Sequence, residues 1–357
     1  MISREEAYAR IVALNEKSMP SAVMRAQGEM LRALWLIGPE DDLAERVYRL
    51  ARANLAGFYD QHTDRMFLID DLTDVMAQET LTHELVHALQ DQHFDLAGRL
   101  RYRPGQSDSL SAVHGLCEGE ATAATFEITA PGTSLSPSVL RLALMASLAL
   151  SEEGASTPRV LQAGLAASYV DGYRFVQELR RRGGWARVDA AWEQPPQTTE
   201  QLIHVEKYLR REPALEVAPV AASAMSPGRF RVLDTAAMGE QGLRIVLEQW
   251  VHREEAARSA AGWGGDRYTV FVQDGATAKS AHLVLWQLRF DTVRDAEEVG
   301  GVLTKTFSKL CAEKPKRGAI AWRRWADRVV ILARHSPGLR CSALSATLNE
   351  LYPLVVR

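Results

Sequence analysis

Between residues 81 and 96 the chain reads LTHELVHALQDQHFDL, and the HELVH at its centre constrains the fold more than any other stretch. Residues four apart on a helix lie one turn apart on one face, so His83 and His87 can converge on a single metal ion if this segment is helical. Glu84 is turned about 100° from His83, close enough to hold a water at such an ion without binding the ion itself. Two imidazoles and a water leave one protein ligand to find, so a second element must bring a donor to the same point. Leu81, Leu85, Ala88 and Leu89 form an apolar stripe expected to bury the helix. Its histidines would then sit inside the protein, where an unbonded polar ring is costly.

Several residues compete for the third position. His93 stands at the count of the metzincin signature H-E-x-x-H-x-x-G-x-x-H, but the glycine that would turn the chain out of the helix is here Gln90, a good helix former. On a continuing helix His93 is rotated about 240° from His87 and points away. It then reads as a helix-end histidine favoured by the macrodipole or bonded to a carbonyl. The stretch SAVHGLCEGEATAATF (111–126) offers Glu118 and Glu120, which lie about 200° apart on a helix and cannot both face one ion. His114, one turn before Glu118, reads equally as a supporting partner or a satisfied core histidine.

HELVH followed by CEGEA resembles the site of gluzincin-type zinc metallopeptidases. Residues 56 to about 210, with THELVHALQDQHFDL, EGEA and PPQTTEQLIHVEKY, are similar to a little-described group of bacterial and archaeal metallopeptidase-like proteins. The resemblance implies Zn²⁺ held by His83, His87 and Glu118, the last from a second helix on which Gly119 permits close approach. Glu84 would be general base and then general acid for peptide hydrolysis. The strand at 66–69 would pair with an extended peptide substrate, and residues 169–185 would form a helix backing the site. Gluzincins also use a histidine or tyrosine to donate to the oxyanion. His204, on a proline-led helix, is the first candidate here, followed by Tyr208 and Tyr169. Fe(II) suits the same ligand set, but an oxygenase has no need of Glu84. Two alternatives stay open: a metzincin-like peptidase using His93, and a non-catalytic zinc-binding scaffold with a C-terminal interaction module.

A chain of 357 residues exceeds what one core usually fills. The expected architecture is α+β: a helical segment over 1–55 bracing the core, a mainly helical zincin-like domain with a small edge sheet over 56–216, a linker over 217–228, and a smaller α+β domain over 229–357. Within it, AGFYDQHTDRMFLIDD (56–71) reads as strand, turn, strand; 75–94, 109–128 and 137–183 read as helical, the last broken near EEGASTP. Thr198 and Gln201 form a capping box. VAPVAASAMSPG (217–228) has linker composition. Beyond it come strand signals at RYTVFV, HLVLWQLRF and RVVILAR, a turn at QDGATAKSA and a helix at RDAEEVGGVLTKTF.

The 42 basic and 45 acidic side chains give a formal charge of -3, which excludes a whole-chain field for nucleic acid or an anionic membrane, and RRRGGW (180–185) reads as a solvated helix end. Cys117, Cys311 and Cys341 are too far apart in sequence to suggest a disulfide framework, which fits a reducing compartment. The charged N-terminus lacks the apolar run of a signal peptide, and VLRLALMASLAL (139–150), read as a buried helix, is too short to span a bilayer. A cytoplasmic protein acting on a peptide or protein substrate is the expectation.

Overall fold

The computed structural model describes residues 1–225, 229–275, 282–313, 317–336 and 338–355. In chain order the elements are α1 (Arg4–Ser18), α2 (Ser21–Ala33), α3 (Leu43–Asn54), β1 (Gly57–Asp60), β2 (Arg65–Leu68), α4 (Asp74–Phe94), α5 (Leu96–Arg99) and α6 (Ser107–Thr129). Then come α7 (Pro137–Leu150), α8 (Glu152–Ser156), α9 (Arg159–Glu193), α10 (Thr199–Ile203), α11 (Val205–Leu209) and α12 (Ala222–Met225). The rest comprises β3 (Phe230–Ala236), α13 (Gly239–Leu247), α14 (Arg253–Ala260), β4 (Trp263–Gln273), β5 (His282–Phe290), α15 (Val293–Glu313), β6 (Ala319–Trp325), β7 (Arg328–Arg334) and α16 (Cys341–Val355). Among the described residues the architecture is α+β, with one two-stranded and one five-stranded sheet.

The chain divides into two compact units, one made of residues 1–20, 45–103 and 108–213, the other of 21–44, 104–107 and 214–357. The longest segment of the second begins within a few residues of the expected linker. Residues 1–55 do not stay together, because α2 carries Ala26, Met30 and Leu34 into the core of the second unit while α1 and α3 belong to the first. The expected linker contains the short helix α12, and its last residues, 226–228, lie outside the described residues, as does most of the expected turn at 273–281.

The first unit is helical around a core of Leu116, Tyr173, Phe175, Val176, Leu179 and Trp192 from α6 and α9. Thr73 caps α4 by accepting from Met76 N–H, and the helix runs unbroken until Asp95 turns into the left-handed region at φ 55°. Pro137 and the Ser136 cap open α7, of which only Leu140 and Leu148 are buried; Val139, Leu142 and Leu150 face solvent, so it is not the buried helix its composition suggests. α9 runs past the expected end at 183, with non-helical backbone at Gly183 and Gly184. Beside that break Arg180 pairs with Glu127 and covers the Trp185 ring, and Arg181 and Arg182 pair with Glu178, so RRRGGW is a paired helix surface. α10 starts at the expected capping box, where the Thr198 hydroxyl accepts from Gln201 N–H. The buried Asp108 of α6 accepts from both the backbone N–H and the hydroxyl of Thr199, tying the two helix starts together.

The second unit is an antiparallel sheet in the order β3-β4-β5-β7-β6. Alternate residues of β5 point to opposite faces, Trp286, Leu288 and Phe290 joining α2, α13 and α15 in one core, Leu283 and Leu285 joining α16 in another. Both faces are covered, which is why HLVLWQLRF reads as continuously apolar. Within the sheet the buried Asp266 accepts from the indole N–H groups of Trp263 and Trp286 and the backbone N–H groups of Met238 and Gly239. Cys311 and Cys341 form a disulfide between the end of α15 and the start of α16. They are 30 residues apart in sequence, a separation that carries no pairing signal, and their pairing removes the thiol argument for a reducing compartment. Among the described residues no helix is long and apolar enough to cross a membrane.

Candidate metal centre

α4 packs against β1, and the contact is polar as well as apolar: the Tyr59 hydroxyl donates to Asp91, and the Tyr59 backbone lies beside Glu84. Gly57 sits so close to Thr80 of α4 that a Cβ there would lie 2.8 Å from its methyl group. The face that α4 turns inward carries His83, Glu84, His87 and Gln90. The leucine stripe faces the other way: Leu81, Leu85 and Leu89 are 40%, 49% and 54% exposed. The expectation that those leucines bury the helix is therefore reversed. The histidines are inside because polar partners hold them there.

α6 delivers the further donor. Its close approach is to α9 rather than to α4: a Cβ on Gly119 would fall 2.1 Å from the Gly172 carbonyl carbon, and one on Gly172 would fall 1.8 Å from the Gly115 carbonyl oxygen. Two helices can touch backbone to backbone only where both lack side chains. This crossing sets Glu118 of α6 and Tyr169 of α9, one residue before Gly119 and three before Gly172, on the wall of one cavity of about 540 Å³ with His83, Glu84 and His87.

His83 Nε2 lies 3.1 Å from His87 Nε2 and 3.3 Å from Glu118 Oε2, and His87 Nε2 lies 3.7 Å from the same oxygen. Among the described residues this is the group of three with donor atoms placed to hold one metal ion. Tetrahedral bonds of about 2.0–2.1 Å put neighbouring donors about 3.3–3.4 Å apart, so the triangle is the size of one face of such a site. The donor set fits a metal.

The charges around the triangle are strongly coupled. Burial works against a charged Glu118, but the His87 charge and hydrogen bonds from His114, His83 and His87 outweigh it and hold its carboxyl well below the ordinary value. Burial also works against a charged His87, yet Cys117 and Glu118 push its ring well above the ordinary histidine value. His114 Nε2 lies 3.3 Å from the other Glu118 oxygen. Glu84, 7% exposed, is raised by burial, which the two histidines only partly offset. The Glu118 charge, then burial and the Glu84 charge, keep the Tyr169 phenol well above its usual range and therefore a proton donor. Its ring stacks on His83 at 6.2 Å.

Behind His87, Gln90 Oε1 lies 2.8 Å from Nδ1, and Gln90 Nε2 donates to Glu120 and to the Cys117 carbonyl. Glu120 points away from the triangle and also accepts from Trp192.

Of the residues singled out in the sequence, His83, His87, Glu118 and Glu84 come together. His93 does not, because α4 continues past Gln90; it lines a separate cavity with Phe94, Trp185 and Asp189. His204 does not either. It sits at the junction of α10 and α11 beside Arg174, Glu178 and Arg182, in a third cavity. Tyr208 is buried against Phe175 and donates to the Gln194 carbonyl. Tyr169, placed with Tyr208 after His204, is the aromatic residue that reaches the triangle. The sequence signal for it was Gly172 inside a helix, spaced to meet a helical Gly119. The strand beside the triangle is β1 rather than residues 66–69, since Gly57, Phe58 and Tyr59 line the cavity while β2 pairs with β1 on one edge and is bridged by Ile2 on the other.

Residues 229–340, within the second unit and away from the triangle in sequence, match a family described as a domain of unknown function (DUF8575). No curated protein and no solved structure matches the chain.

Proposed function

We propose that the first unit is a zinc-dependent peptidase centred on His83, His87 and Glu118. The observation that carries the reading is the size of the donor triangle, with a buried carboxylate beside it in an open cavity. Zinc, when bound, lowers the pKa of a water to about 7 and polarises a carbonyl. The remaining work falls to the chain. Glu84, whose proton affinity is raised by burial, takes a proton from the attacking water and gives it to the leaving amine. Tyr169, kept protonated, donates to the developing oxyanion.

The substrate backbone has a partner in β1. Ile69 N–H donates to the Ala56 carbonyl, so the antiparallel alternation turns the backbone groups of Phe58 toward β2 and those of Gly57 and Tyr59 away from it. Tyr59 lies beside Glu84. Gly57 offers its N–H and C=O on the cavity side to an extended peptide.

Zinc content per chain and peptide cleavage test this together. Wild type is expected to hold near one zinc, His93→Ala to keep it and Glu118→Ala to lose it. Glu84→Gln should keep zinc and lose turnover. A wild type that binds zinc yet cleaves no peptide in a broad library would favour the scaffold reading, and zinc lost in His93→Ala but kept in Glu118→Ala would restore the metzincin-like one.

A further inference from the structure

The amide of Gln90 has a settled orientation. Its two neighbours on one side, the Glu120 carboxylate oxygen at 2.8 Å and the Cys117 carbonyl at 3.1 Å, offer acceptors. The NH₂ end must face them. The Oε1 end therefore faces His87, and at 2.8 Å it demands a proton on Nδ1. The Cys117 thiol donates to the same oxygen at 3.1 Å, which leaves that oxygen surrounded by donors. A neutral imidazole protonated at Nδ1 has its lone pair on Nε2, the atom 3.1 Å from His83 Nε2 and 3.7 Å from Glu118. Glu120 is itself fixed from behind by the Trp192 indole N–H at 2.6 Å, and Gln90 is 2% exposed, so water offers little competition.

We infer that Gln90 is a positioning residue: it locks His87 in the Nδ1–H tautomer with Nε2 presented to the metal, and the Glu120–Trp192 pair locks Gln90. The inference rests on the metal reading above. Residue 90 is thus more than a helix former where metzincins have glycine, and the second carboxylate of CEGEA orients a ligand from behind. Supporting partners of this kind are worth about 10–100-fold in metal affinity.

Two variants set beside wild type separate this role from packing. Gln90→Met keeps the volume and removes both hydrogen-bonding ends. Glu120→Gln removes the charge but keeps, at its Oε1, the acceptor that Gln90 and Trp192 share. Zinc affinity by competition with a chelator of known strength is expected to fall about 10–100-fold in Gln90→Met and to stay near wild type in Glu120→Gln. The ¹⁵N shifts of His87 in metal-free protein, at a pH where the ring is neutral, should report Nδ1–H in wild type and Glu120→Gln, and loss of that preference in Gln90→Met. His87 remaining Nδ1–H in Gln90→Met overturns the inference whatever the affinity does. So does a wild-type ring that is not Nδ1–H. A wild type that takes up no zinc sinks the metal reading instead, and the ring shifts still decide this one.

Discussion

The crossing of α6 and α9 makes a prediction of opposite sign at two glycines of one helix. Gly164 and Gly172 both lie in α9, and replacing a helical glycine by alanine gains about 0.8–1 kcal/mol of intrinsic propensity. At Gly164 nothing lies within 4 Å of the added Cβ, so Gly164→Ala should stabilise by close to that full amount. At Gly172 the Cβ would sit 1.8 Å from the Gly115 carbonyl oxygen and 3.1 Å from the Gly119 Cα. The obstacle is backbone on a second helix, which cannot rotate aside, so the helices must part by more than an ångström. Overpacking costs about 1–3 kcal/mol where side chains can adjust, and more where they cannot. Subtracting the propensity gain leaves a net loss of about 2 kcal/mol or more for Gly172→Ala. Urea unfolding followed by circular dichroism, with the two variants and wild type side by side, measures both. Gly172→Ala should also weaken metal binding, because the same contact sets Glu118. A Gly172→Ala protein as stable as wild type, with metal affinity unchanged, would refute the backbone-contact argument.

Other expectations concern the site and the second unit. Tyr169→Phe should retain zinc and lower kcat by about 10²–10³-fold, whereas His204→Ala should leave kcat unchanged; steady-state kinetics on any cleaved peptide reads both. Each Asp266 oxygen accepts two N–H groups, so in Asp266→Asn the amide NH₂ must face two donors whichever way it turns, at about 1–3 kcal/mol for each orphaned group; thermal unfolding followed by tryptophan fluorescence should show the loss. In metal-free protein the depressed Glu118 contributes stability above its ordinary value of 4.5 that is lost as pH falls through the folded value. The raised His87 contributes stability below its ordinary 6.5 that is lost as pH rises through the folded value. Urea midpoints should therefore be highest between those two pH values, and Glu118→Gln should flatten the profile.

Much of the fold was legible because the signals were local. β5 and β7 start and end at the apolar runs HLVLWQLRF and RVVILAR, and α4 and α6 fall within a residue or two of the periodic stretches. What the sequence hid was always a partner. Cys341 carries no mark of Cys311, α2 none of the distant sheet it packs against, and Gly119 does not say whether it meets α4 or α9. His204 stood ahead of Tyr169 as a donor because the meeting of Gly172 with Gly115 and Gly119 is a tertiary contact that no local pattern shows. α4 misled in another way, because an apolar stripe on a helix normally marks the inward face.

That inverted helix has a mechanical consequence. Apolar contacts are graded and forgive a shift of a fraction of an ångström, so a helix held by leucines can slide and rotate a little at small cost. α4 exposes Leu81, Leu85 and Leu89 and is gripped through His87, Gln90 and Asp91. Hydrogen bonds fail steeply with angle and distance. α4 is therefore indexed like a key in its wards, in one rotation and one register, and the placement of its imidazoles needs no help from the greasy side.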